Sequence, residues 1–196
     1  MIKAFLSASV PLPDRDPLFI KTADVIAIRE AVKAVVGELT KYGTIVFGGH
    51  PAITPMIAVV LRTLGQETRR RVILYQSSYF KDQFIKENDE FIASMVVPEV
   101  ARSRDLSIAA MRQRMIEETK FDVGIFVGGM EGVIDEYERF RQAHPTAKIW
   151  PLASTGAAAK IIFEQMNKPR PDLFLDELTY PSLFRKLLRE IPHADQ

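Results

Sequence analysis

The chain has 196 residues, enough for one domain with a complete core rather than two small ones. Its formal net charge is +1, with 47% hydrophobic and 26% charged residues, so the basic excess expected of a nucleic-acid binder is missing. It contains no cysteine, which excludes disulfides, thiolate catalysis and cysteine zinc sites. The three histidines, His50, His144 and His193, show no metal-ligand spacing, so neither a metal nor a cofactor is expected.

Lys3 to Ser9 reads as an apolar first strand ending in small hydroxyl residues, before a proline-rich break at Pro11, Pro13 and Pro17. The apolar run Ala4-Phe5-Leu6 is too short for a signal peptide, and no run could cross a bilayer. A soluble cytoplasmic protein with no membrane partner is expected. Val25, Ile28, Val32, Val35 and Leu39 recur at three- and four-residue steps, predicting an amphipathic helix that ends near Gly43. Thr44 to Phe47 is a β-branched and aromatic strand that runs into Gly48-Gly49. Thr54 is placed to cap the next helix, with Pro55 in its first turn and Gly65 at its close. The basic run Arg69-Arg70-Arg71 reads as a solvated edge leading into a strand over Arg71 to Tyr75.

Residues 77–104 give the weakest pattern, with a strand-like stretch from Ile92 to Val97. Asp105 then caps a helix whose apolar positions are Ile108, Met111 and Met115. Val123 to Val127 is a buried strand, and Ile134, Tyr137 and Phe140 mark a helix after it. Lys148 to Leu152 is a last strand, Ala157 to Met166 a last long helix, and Pro169 to Pro181 a linker. A short amphipathic helix carries Leu183, Phe184, Leu187 and Leu188. Strands and helices alternating in this way predict an α/β fold: a Rossmann-like parallel sheet with helices on both faces. The domain is expected over residues 1–166, with residues 167–196 as a linker and helix packing on it or on a partner subunit.

Two glycine loops follow strands, at the sheet edge where such folds bind ligands. In Phe47-Gly48-Gly49-His50-Pro51-Ala52-Ile53-Thr54-Pro55, glycine permits a close backbone approach and the helix start favours a phosphate. Ligand contacts are expected from Gly48, Gly49, His50 and Thr54. In Gly128-Gly129-Met130-Glu131-Gly132, all five residues are candidates, and Glu136 lies one turn inside the helix. A carboxylate there suits ribose hydroxyls or acid–base work on a glycosidic bond, while Glu131, Glu136 and Glu138 all also fit a solvated first turn, Glu138 best. Ser7 and Ser9 end the first strand beside these loops, and Ser154-Thr155-Gly156 is a further candidate after the last strand. Arg112 falls on the apolar face of its helix and needs a partner, either a ligand phosphate or an internal carboxylate.

Taken with Phe5-Leu6-Ser7-Ala8-Ser9-Val10-Pro11 and Met111-Arg112, these loops resemble the SLOG superfamily. More narrowly they resemble its prokaryotic conflict-system cluster three, over roughly residues 1–166. The resemblance implies a Rossmann-like fold and recognition of a nucleotide-derived ligand. Members include phosphoribohydrolases of the LOG type and sensors of NAD metabolites such as ADP-ribose or cyclic ADP-ribose in anti-phage systems. The hydrolases carry Pro-Gly-Gly-x-Gly-Thr-x-x-Glu with an upstream arginine. This chain has Val127 for the proline, Val133 for the threonine and one extra residue before Gly132, while Glu136 matches the glutamate and Arg112 the arginine. The altered loop favours a sensor acting as a homo-oligomer, with a separate effector protein. The alternative is an N-glycosidase in which Glu136 and Arg112 are catalytic.

Overall fold

A computed structural model describes residues 1–14 and 17–191, so His193 lies outside the described residues. Six strands form one open sheet: β1 (Ile2–Ser9), β2 (Gly43–Gly48), β3 (Val72–Ser77), β4 (Ala93–Val97), β5 (Val123–Gly128) and β6 (Lys148–Leu152). Their spatial order is β4-β3-β2-β1-β5-β6, and every pairing is parallel. The chain steps outward from β1 to β4 and then returns to lay β5 against the other side of β1. This reversal opens a crevice beyond the carboxyl ends of β1 and β5, the place where open α/β sheets take ligands. The fold is an α/β Rossmann-like one.

The helices are α1 (Pro17–Ile20), α2 (Val25–Leu39), α3 (Ile53–Leu61), α4 (Gln66–Arg69), α5 (Arg104–Glu117), α6 (Glu131–Ala143), α7 (Ala157–Gln165), α8 (Pro171–Phe174) and α9 (Tyr180–Leu188). Strand alternation divides the core in two. Ala4 and Leu6 of β1 pack with Ile28, Val32 and Val35 of α2 and with Ile57 and Leu61 of α3. Phe5 points the other way, into Met115 and Ile116 of α5, Tyr137 and Phe140 of α6, and Ile162 of α7. Ser7 and Ser9 share the parity of Phe5, so β1 presents its hydroxyls towards the α5–α6 side. None of the described helices is long and apolar enough to cross a membrane.

Several element ends differ from the sequence expectation. Val25 is 47% exposed, and the buried stripe of α2 runs through Ile28, Val32, Val35 and Leu39 instead. Helix α3 starts at Ile53 with Ala52 before it and no side-chain cap, so Thr54 is not the cap. The Ile53 and Thr54 amides both donate to the His50 carbonyl, at 3.0 and 2.9 Å. The Thr54 hydroxyl is buried and turns back to accept from the His50 amide at 3.1 Å. Gly65 precedes α4 rather than closing α3, which ends at Leu61. Ser103, not Asp105, caps α5, its Oγ accepting from the Leu106 amide at 3.4 Å.

The basic run and the presumed linker are both structured. Arg69 bonds the Glu90 carboxylate and carbonyl, and Arg71 donates to the Thr40 carbonyl at 2.9 Å. Leu173 and Phe174 of α8 are buried against the sheet's first core, together with Leu183, Phe184, Leu187 and Leu188 of α9. Between β3 and β4 the chain makes two 3-10 turns, Ser78–Gln83 and Lys86–Glu90, a conformation whose irregular residue spacing escapes periodicity.

Candidate functional site

The crevice holds a cavity of about 400 Å³, within the roughly 300–1,000 Å³ usual for small-molecule sites. Its walls include Ser9, Gly48, Gly49, His50, Thr54, Arg112, Met130, Glu131, Gly132 and Glu136. These residues come from four separate elements or loops that the topology gathers above β1, β2 and β5.

Glu136 anchors the polar end. The Ser7 hydroxyl donates to Glu136 Oε2 at 2.7 Å, and Arg112 Nε donates to Glu136 Oε1 at 3.1 Å. Ser7 does not line the cavity itself; it is buried beneath and holds the carboxylate. The Arg112 guanidinium also donates to Asp135 Oδ2 at 3.3 Å and to the Gly132 carbonyl at 3.2 Å. Of the two partners open to Arg112, the structure supplies the internal carboxylate. The Arg112 and Glu136 side chains are 18% and 14% exposed, whereas Asp135 is 62% exposed. The Arg112–Glu136 pair is therefore the shielded part of this network. A Cβ at Gly132 would lie 2.7 Å from Arg112 Nη2, so a side chain there would displace the guanidinium from this network.

The two glycine loops turn out to have different roles. In the first, Gly49 donates its amide to the Tyr75 carbonyl at 2.8 Å, and His50 donates to Thr54. The Ala52 amide donates to His50 Nδ1 at 3.2 Å, and Pro51 and Pro55 have no amide hydrogen. The expected phosphate cradle at this loop is thereby corrected: its donors are consumed in holding its own shape. What the loop presents is the His50 ring. Accepting at Nδ1 fixes the proton of the neutral ring on Nε2, and burial pushes the His50 pKa below the ordinary value. His50, a neutral ring with its proton on Nε2, thus forms part of the cavity wall.

In the second loop, Gly128 and Gly129 adopt φ of +54° and +92°, making the sharp turn out of β5. They lie behind the cavity rather than in its wall. The Gly128 amide donates to Thr155 Oγ1 at 2.8 Å, and the Gly129 carbonyl accepts from the Ala158 amide at 3.2 Å. Thr155, a candidate crevice residue by sequence, is buried and serves as this pin, and Ser154 pairs with the Tyr180 hydroxyl at 3.0 Å. The pinned turn aims the start of α6 at the cavity. Met130 gives that helix no side-chain cap. Glu131 and Gly132 line the cavity at the positive end of a 13-residue helix whose first amides no side chain caps, a favourable place for an anion.

Sequence reasoning missed the far wall. Gln76 from β3, Phe80 and Asn88 from the two 3-10 turns, and Phe84 and Ile85 between those turns line it. Only their composition, aromatic rings interleaved with carboxamides, could have signalled them. Among the described residues no group of three or more His, Cys, Asp or Glu side chains could hold a metal ion.

The SLOG cluster3 family matches residues 18–188, most of the sheet and all the helices from Leu18 onward. The chain belongs to that family. The match extends past residue 166 and takes in α8 and α9, the segment that completes the SLOG core on the α2 side. No curated protein matches the sequence.

Proposed function

We propose that this SLOG cluster3 protein binds a nucleotide-derived small molecule in the β1–β5 crevice and retains it intact, as a sensor does. The observation that carries the reading is the Ser7–Glu136–Arg112 network beside the uncapped start of α6. The helix amides take the phosphate, the Glu136 carboxylate and His50 Nε2–H meet ribose hydroxyls, and Arg112 holds Glu136 in place. Both carboxylate oxygens already accept a hydrogen bond, one of them from a guanidinium. The carboxylate is thus held in a fixed position by its own fold, an arrangement that suits recognition of a ligand's hydroxyls. The ligand class is that of NAD metabolites such as ADP-ribose or its cyclic form. Its binding is relayed through a homo-oligomer to a separate effector in a conflict system.

N-glycosidic cleavage is the second reading, favoured by the acid–arginine pair at the cavity wall. There Glu136 stabilises positive charge at the ribosyl carbon and Arg112 positions it. Calorimetric titration with ADP-ribose, cyclic ADP-ribose, NAD and nucleoside monophosphates tests the first reading, followed by chromatography of the recovered ligand. Saturable binding with intact ligand is expected. Absence of heat across the panel refutes the site, and release of free base that stops in Glu136→Gln transfers the assignment to the hydrolase.

A further inference from the structure

The cavity's far wall has a feature that the phosphate and ribose contacts leave unused. Among the described residues, the buried side-chain polar atoms without a hydrogen-bond partner are Arg69 Nε and both amide atoms of Asn88. Arg69 is otherwise engaged through Nη2 with Glu90, but the Asn88 carboxamide has nothing at either end. Leaving a buried donor and acceptor unpaired costs free energy, so natural folds rarely keep one without a use. Asn88 lines the cavity. Its own backbone is engaged, the amide donating to the Ile85 carbonyl and the carbonyl accepting from Phe91, so the unpaired groups are those of the side chain alone.

A second carboxamide stands nearby. Gln76 lines the same cavity, and its side chain packs over Gly49, where a Cβ would lie 3.1 Å from Gln76 Cγ and 3.2 Å from Nε2. Glycine at position 49 thus leaves room for the Gln76 amide at the cavity wall. Phe80 and Phe84 supply aromatic surface beside the two amides. This end is built from β3 and the turns after it, whereas Glu136 is held by Ser7 of β1 and the start of α6 follows β5. Strands β3 and β1 are separated by two sheet spacings, about 10 Å at roughly 4.8 Å each. A base and a phosphate of one nucleotide can occupy the two ends together.

The geometry points to a base-recognition subsite, resting on the nucleotide reading above, in which Asn88 and Gln76 read the amino edge of a 6-aminopurine and Phe80 and Phe84 flank its ring. A carboxamide offers one donor and one acceptor side by side. That pattern complements adenine N7 and its 6-amino group, while guanine and hypoxanthine present two acceptors there. No arginine or carboxylate from the 78–90 segment lines the cavity to read those oxo bases. The adjustment that brings a base against the Asn88 amide falls on the 3-10 turns of that segment, which no sheet or α-helical hydrogen bonding stiffens.

The test is calorimetric titration of the full chain with AMP, IMP, GMP, nicotinamide mononucleotide and ribose 5-phosphate, in wild type, Asn88→Leu and Gln76→Leu. AMP is expected to bind roughly tenfold to a hundredfold tighter than IMP, the value of one bidentate base contact. Asn88→Leu should erase that preference, leave ribose 5-phosphate affinity unchanged, and melt no lower than wild type, because it removes an unpaired amide. Equal affinity for AMP and IMP, or tighter binding of nicotinamide mononucleotide, overturns the base assignment while leaving the phosphate site standing. A large loss of stability in Asn88→Leu also overturns it, by making the amide structural. Failure of every probe overturns the nucleotide reading itself.

Discussion

Replacing Glu136 by Gln isolates the network on which the site rests. The substitution keeps the side chain's size but removes its charge, and it puts an NH2 group against either the Ser7 hydroxyl or Arg112. An exposed ion pair is worth about 0–1 kcal/mol, while breaking a buried one costs about 3–5 kcal/mol. The pair here is 18% and 14% exposed, close to the buried case. Arg112 nevertheless keeps the Gly132 carbonyl and Asp135, and glutamine keeps one acceptor, so the loss should be about 1.5–3 kcal/mol. In a chain of this size that lowers the melting temperature by about 3–12 °C. Thermal denaturation of wild type, Glu136→Gln, Ser7→Ala and the double variant measures it, and the double variant should fall short of the summed losses by about 1 kcal/mol. A Glu136→Gln melting temperature within about 1 °C of wild type, with additive losses, would refute the reasoning.

Three further outcomes follow from the same packing. Gly128→Ala should destabilise by about 2–5 kcal/mol in denaturant titration, because the residue has φ +54° and a Cβ would lie 2.4 Å from Ile28 Cδ1. Phe184→Ala should cost about 3–5 kcal/mol, since Phe184 is fully buried in the core that α9 shares with α2; a loss below 1 kcal/mol by the same titration would contradict that docking. His50 has a folded pKa lowered by burial from the ordinary 6.5, so its stabilising contribution is complete above pH 6.5 and is lost as pH falls through the lowered value. Denaturation across that range should therefore show a steeper acid loss in wild type than in His50→Gln, and an NMR titration should place the His50 midpoint below 6.5.

The fold was legible because β1, β2, β3 and β5 are largely buried and end in glycine or serine. Val123 to Val127 and Thr44 to Phe47 could be read as strands directly from their apolar runs, within a residue of the observed ends. Helix starts were less legible, since capping depends on which backbone amides remain unpaired in three dimensions. Thr54 has the right chemistry for a cap, but the His50 carbonyl had already taken the amides it would have served. The site divided in the same way. Glu136 and Arg112 could be singled out by motif and by helical parity, and Ser7 by its place at the end of β1. Their convergence on one carboxylate required the β1–β5 register, in which Ser7 stands opposite Phe126. The 3-10 turns left no periodic trace, so Asn88 and its neighbours emerged only from the fold.

The most direct measurement is a crystal structure of the chain soaked with ADP-ribose. The account predicts density in the β1–β5 crevice, with a phosphate oxygen on the Glu131 and Gly132 amides, a ribose hydroxyl near Glu136, and the glycosidic and pyrophosphate bonds unbroken. Density in the open groove between α5 and α6, lined by Arg139 and Gln142, with the crevice unchanged, would contradict it.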